Sequence, residues 1–209
     1  MTGSWSVERL TATATELHSR DLPDVVERAA WVLEATAPAV VLGSSQPWVE
    51  VPDLEVCRRR SGGGAALVRP GEVLWIDVLL PRGDPLWDDD VGRSTRWLGE
   101  TWRDALSVGV VHAGEMVRTP WSSLICFAGV GPGEVLVDDA KVVGISQRRT
   151  RAGARFQCVV LRAWDSVELA RIFAPGEWRE VADALDRVAV GVADLPGLEA
   201  AFLAALAAR

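Results

Sequence analysis

The chain has 209 residues, about half of them hydrophobic, and a formal net charge of −7. That length fits one α/β domain with a sizeable core. The acidic balance argues against general nucleic-acid binding, and no apolar run reaches the ~20 residues of a membrane span. Residues 1–10 lack the charged-then-apolar pattern of a secretory signal. Three widely spaced cysteines, Cys57, Cys126 and Cys158, suit neither a disulfide framework nor a zinc site. A reducing cytoplasm is the expected location. Two histidines, His18 and His112, exclude a His-rich metal centre, and no metal site is expected.

Residues 1–20 are polar and threonine-rich, and are expected to be loosely ordered. Asp21 and Pro23 form a helix-start signal, with Val25, Ala29, Val32 and Leu33 on one helical face. Residues 39–42 read as a buried strand, and residues 54–58 as a short one. Residues 73–80, Val-Leu-Trp-Ile-Asp-Val-Leu-Leu, are the clearest strand, ended by a Pro-Arg-Gly-Asp-Pro turn. A helix is predicted over about 88–108, with Asp88, Asp89 and Asp90 at its positive end. Its apolar positions (Val91, Trp97, Leu98, Trp102, Ala105 and Leu106) mostly share a face. Residues 110–112 form a short strand; His112 has no carboxylate or cysteine beside it in sequence and is not expected to be a catalyst. Residues 134–137 and 141–146 read as a hairpin around Asp138 and Asp139, and 155–161 as another strand. Helical patterns at 166–173, 177–188 and 195–208 close the chain; the last is expected to pack on the core. The expected architecture is α/β (α+β), a mixed sheet flanked by helices, with residues 21–209 as a single domain. No G-x-G-x-x-G opens a helix after a strand, so a Rossmann fold is not indicated.

Two stretches carry chemistry. Residues 57–66 read Cys-Arg-Arg-Arg-Ser-Gly-Gly-Gly-Ala-Ala. Consecutive glycines let a ligand lie against the backbone, with N–H groups turned to an anion. Arginine adds planar donors for phosphate or carboxylate; a plain glycine-rich hairpin with solvated arginines is the alternative. The second stretch holds Lys141, the one lysine among 22 lysine and arginine residues. In a chain that uses arginine almost everywhere, a retained lysine suggests a place needing a compact ammonium ion. A second basic cluster, Arg148, Arg149 and Arg151, stands out against the acidic background.

Taken together, these segments resemble the catalytic domain of the lipoate–protein ligase A family, within the wider biotin/lipoate ligase superfamily. The resemblance covers about residues 25–161. The family's R-R-x-S-G-G-G-A matches Arg58, Arg59, Arg60, Ser61, Gly62, Gly63, Gly64 and Ala65. Its V-x-x-G-x-x-Q matches residues 40–46, ending in Gln46. Its K-[IV]-x-G-[ST]-x-x-R matches residues 141–148, with Lys141, Gly144 and Arg148 in register and the hydroxyl one place late at Ser146. The resemblance implies that the glycine loop (Arg59, Ser61, Gly62, Gly63, Gly64, Ala65), with Gln46 and Gly144, holds the acyl chain and adenylate. Lys141 would contact the acyl carbonyl and the phosphate. ATP and lipoate would form lipoyl-AMP, with Mg2+ accompanying the nucleotide, and a lysine of a lipoyl-acceptor domain would take the acyl group. Octanoate and biotin are alternative small acids.

The chain departs from the family in three places. Ser44 stands where arginine is usual, Ala65-Ala66-Leu67-Val68-Arg69 replaces A-V-x-H-D, and Gln157-Cys158 replaces a histidine–glycine pair. No C-terminal accessory domain of the kind found on full-length ligases is expected. Two other readings stay open. Cys126-Phe127 is similar in placement to the nucleophilic Cys-Phe of octanoyltransferases, which use a thioester and no ATP; a small buried cysteine in a strand is the plainer alternative. The third reading is a catalytically reduced module that binds lipoate or biotin and needs a separate activating subunit.

Overall fold

The structure, a computed structural model, describes residues 4–209. Its strands are β1 (Ser6–Ala12), β2 (Ala29–Ala35), β3 (Ala39–Leu42), β4 (Glu55–Arg58), β5 (Ala66–Val68), β6 (Val73–Pro81), β7 (Val110–Val111), β8 (Val135–Val137), β9 (Ala140–Arg149) and β10 (Gly153–Leu161). Its helices are α1 (Ala14–Ser19), α2 (Arg96–Leu106), α3 (Ser166–Phe173), α4 (Trp178–Leu185) and α5 (Leu195–Ala207). Among the described residues the main sheet has seven strands in the order β1-β2-β6-β10-β9-β8-β7, and a smaller one has the order β4-β3-β5. Both sheets are mixed: β1 runs parallel to β2 and β3 parallel to β4, and the other pairs are antiparallel.

The central strand β6 shows why this sheet forms. Successive side chains point to opposite faces. Leu74, Ile76, Val78 and Leu80 enter one core with Trp102 of α2 and with Leu198, Phe202 and Leu206 of α5. Trp75 and Leu79 enter the other with Leu17 of α1, Val41 of β3 and Val68 of β5. Both faces are covered, so β6 reads as an unbroken apolar run. The exception is Asp77, fully buried on the second face and paired with Arg155 of β10 at 2.5 Å. The C-terminal helix α5 packs on the core as expected, through Leu195, Leu198, Phe202 and Leu206.

Three expectations are corrected. Residues 25–33 do not form a helix: Ala29–Ala35 is β2, held between β1 and β6. A strand buried on both faces loses its period-2 signal, and four apolar residues then matched helical spacing by coincidence. Of the segment 1–20 expected to be loosely ordered, residues 1–3 lie outside the described residues and the rest carries β1 and α1. Helix α1 begins with a capping box, in which Thr13 and Glu16 each bond the other's backbone N–H. The predicted helix over 88–108 starts only at Arg96. Asp88 and Asp90 instead pair with Arg93 in the preceding turns, and Val91 is exposed.

Candidate active site

The glycine loop, residues 59–65, leaves β4 and returns into β5 at the edge of the smaller sheet. Gly63 has φ +101°, a conformation L side chains rarely adopt. At Gly64 a Cβ would lie 2.5 Å from the Ile125 backbone, so the loop can lie on that segment only through glycine. The contact is sealed by Ala65 N–H to Leu124 O and Cys126 N–H to Ala65 O, both 2.8 Å. Gly62 has nothing within 4 Å of its Cβ direction and faces open space.

Several of the sequence-predicted residues brace this loop. Arg59 is buried, and its Nη2 donates to Gly62 O and Gly64 O, each at 2.8 Å. The same nitrogen lies 3.9 Å from Cys126 Sγ. Gln46 accepts from Gly43 N–H at 2.8 Å and donates to the Ser123 and Leu124 carbonyls at 3.0 Å. It thus ties the end of β3 to the segment under the loop. Ser61 donates to Gln157 Oε1 at 3.0 Å and meets Ser146 Oγ at 3.0 Å.

Lys141 comes to the same place from β9. It is 1% exposed. Its Nζ donates to Cys126 O at 2.9 Å, Gly129 O at 2.6 Å and Glu134 Oε2 at 3.0 Å, and lies 4.9 Å from the centre of the Phe127 ring. The second glycine-rich turn, 129–133, therefore supplies a carbonyl to the lysine, and Glu134 just after it supplies the counter-charge. Residues Cys126–Ala128 form a 3-10 turn and not a strand, and Cys126 is partly exposed.

Between the loop, Cys126, Phe127 and strands β6, β9 and β10 lies a narrow chamber of about 40 Å3. Trp75, Val41, Val68 and Val159 are among its apolar lining; Gly144 lies in its wall; His18, Arg59, Ser146 and Gln157 are its polar members. A second cavity, about 230 Å3, shares Ala66 and Phe127 with it and carries Arg69, Arg162 and Trp164. A third, about 510 Å3 and rich in arginine, shares His18 and Gln157 with it.

Sequence reasoning missed His18 and Glu134. His18 stacks on Trp75 with ring centres 4.4 Å apart, and its Nδ1 lies 3.3 Å from Gln157 Nε2. Burial, with the charges of Arg155 and Arg59 nearby, pushes its pKa down to about 3. The capping box before it was the signal that could have brought His18 into the fold. His112 lies away from this chamber and bonds Glu115 O at 2.8 Å. Burial raises the other two thiols, Cys57 to about 12 and Cys158 further. Among the described residues no group of three or more His, Cys, Asp or Glu could hold a metal ion.

A family model, the lipoyl protein ligase A/B catalytic domain, matches residues 8–198. The chain belongs to this family. Solved structures share its fold at low identity. A bipartite lipoate protein ligase from Thermoplasma acidophilum has TM-score 0.71 and 14% identity, over 97% of this chain and 82% of that one. A T. acidophilum protein with bound lipoic acid has TM-score 0.62 and 16% identity, over 99% of this chain and 86% of that one. A lipoate-protein ligase A bound with ATP has TM-score 0.61 and 17% identity, over 99% and 86%. No curated protein matches. Within the ligase A/B fold this chain has Gln157 bonded to His18 and Ser61 where the family motif has histidine–glycine. Among the described residues no helix is long and apolar enough to cross a membrane.

Proposed function

We propose that this chain is a lipoate/octanoate–protein ligase that joins a lipoyl or octanoyl group, through its acyl-AMP, to a lysine of an acceptor domain. The observation that carries the reading is the chain's one lysine, buried with its Nζ on the carbonyl of Cys126, a residue of the apolar chamber wall. The acid's chain would lie in that chamber against Trp75 and Val159. The adenylate would occupy the 230 Å3 cavity beyond Phe127. Both chambers adjoin Phe127, so the carbonyl and phosphate of the mixed anhydride would meet beside Lys141.

The chemistry is electrostatic. When the acceptor amine attacks, charge develops on the carbonyl oxygen, and AMP leaves as a phosphate. A donor fixed at that point lowers the barrier without reorganising. Lys141 thus stabilises charge and is not the nucleophile; the glycine loop and Arg59 orient the anhydride. All three Nζ donors are already engaged, so binding substrate requires one acceptor to be exchanged. Release of either carbonyl, Cys126 O or Gly129 O, leaves the Glu134 pair intact. The 40 Å3 chamber is also far below the ~300–1,000 Å3 usual for ligand pockets, so its walls must part to admit the acid. Mg2+ would enter with the phosphates of ATP.

A second reading rests on Cys126, whose partly exposed thiol lines the same chamber near Arg59. In it Cys126 takes the acyl group as a thioester, without ATP. The test is intact mass spectrometry of a lipoyl-acceptor domain incubated with this protein and lipoate or octanoate, with and without ATP and Mg2+. We expect a lipoyl or octanoyl mass gain only with ATP, abolished by Lys141→Ala and retained by Cys126→Ser. Gain from preformed lipoyl-AMP but not from ATP would assign activation to a separate subunit. An ATP-independent gain from an octanoyl thioester, lost in Cys126→Ser, would replace the ligase reading with the transferase.

A further inference from the structure

The third cavity lies at the opposite end of β9 from Lys141, seven residues along the strand, or roughly 23 Å at ~3.3 Å per residue. Its volume is about 510 Å3, and Arg20, Arg60, Arg148, Arg151 and Arg155 line it, against Asp21 and Asp24. In a chain with net charge −7 this is a local reversal of sign.

The arginines are not equally engaged. Arg155 is committed to Asp77 and to the Leu17 carbonyl. Arg60 pairs with Asp21, and Arg20 with Glu8. Arg148 and Arg151 have no hydrogen bond or ion pair among the described residues. Moreover, Arg148 lies directly across from Arg155 in the β9–β10 register. Like charges directly opposite one another destabilise a sheet. Asp77 is hydrogen-bonded to Arg155, whereas Arg148 feels, among the described residues, only the longer-range charge of Asp21. The positive field reaches neighbouring groups: the Arg60 hydrogen bond, with the charges of Arg60, Arg148 and Arg155, holds the Asp21 carboxyl below its usual range.

We propose that this cavity is a binding site for a dianionic phosphate group, gripped by Arg148 and Arg151 and separate from the Lys141 site. Two guanidiniums without a hydrogen-bonded partner among the described residues leave their planar donor forks open, and these fit the several oxygens of a phosphate. The phosphate is either inorganic or the ester group of a small metabolite, for which the cavity has room. Its occupant would touch His18 and Gln157, which also line the acyl chamber. The site does not depend on the ligase reading.

The test is calorimetric titration of the purified protein with inorganic phosphate and with glycerol 3-phosphate at constant ionic strength. Wild type is compared with Arg148→Gln/Arg151→Gln and with Arg151→Gln alone. Arg151 is exposed, so its single variant keeps the fold. We expect saturable binding of one phosphate group per chain. It should weaken about tenfold or more in the double variant, the scale of a lost charged hydrogen bond, and by a smaller factor in the single one. Tighter binding of glycerol 3-phosphate assigns the site to an esterified phosphate, and equal binding to the inorganic ion. No saturable binding in wild type, or unchanged binding in both variants, overturns the proposal.

Discussion

Lys141 and Glu134 form an ion pair with side chains 1% and 6% exposed. Removing one partner of such a pair leaves a charge in the core without compensation, at a cost of about 3–5 kcal/mol. Lys141→Met should therefore lower stability by that amount in urea unfolding. Lys141→Met/Glu134→Gln should recover part of it, since the second change removes the stranded charge. A double variant no more stable than the single one would show that the pair adds nothing beyond packing. His18 gives a pH signature. Its folded pKa is near 3, against 6.5 for the free group, so below pH 6.5 the unfolded chain binds a proton that the folded chain does not. This contribution to stability is complete above pH 6.5 and is lost as pH falls toward 3, amounting to on the order of 4 kcal/mol. Carboxylates titrate in part of this range, so the comparison is with His18→Gln. The variant should lose less stability than wild type between pH 6.5 and pH 4.5. Parallel profiles would contradict a buried neutral imidazole.

The glycine loop is an element whose three glycines have different duties. Gly64 permits backbone contact with Ile125, Gly63 takes a left-handed conformation, and Gly62 faces open space. Gly64→Ala should cost about 1–3 kcal/mol, the range for overpacking, and should reduce acyl transfer by displacing Cys126. Gly62→Ala should leave thermal stability within about 0.5 kcal/mol of wild type, as surface changes do. Equal effects at the two positions would refute this division. The motif itself was legible as sequence. Its bracing was not: Arg59 reads as an anion ligand, yet its Nη2 holds the loop's own carbonyls. That use depends on how the loop folds back, which spacing does not encode.

Across the whole molecule the two cores lie on opposite faces of one sheet, and the Arg155–Asp77 pair stitches them to the N-terminal segment. Arg155 of β10 bonds Asp77 of β6 and the Leu17 carbonyl of α1. Arg155→Met should cost about 3–5 kcal/mol, because Asp77 is left buried and unpaired. Hydrogen exchange should then show α1 amides losing protection before those of β6; simultaneous loss would refute the stitching role. How far the fold could be read in advance follows the same division. Strands β3, β6 and β10, the β8–β9 hairpin and helices α3 to α5 were legible because apolar runs, turn residues and helical spacing are local signals. The three motifs were legible because each is a set of residue types at fixed spacing along the chain. Strand β2 was not, since whether an apolar run is helix or strand depends on the edges of β1 and β6 offered to it. The place of His18, the pairing of Lys141 with Glu134 and the opposition of Arg148 to Arg155 were likewise decided by tertiary structure. Each joins residues through burial or strand register, and those energies exist only once distant segments have met.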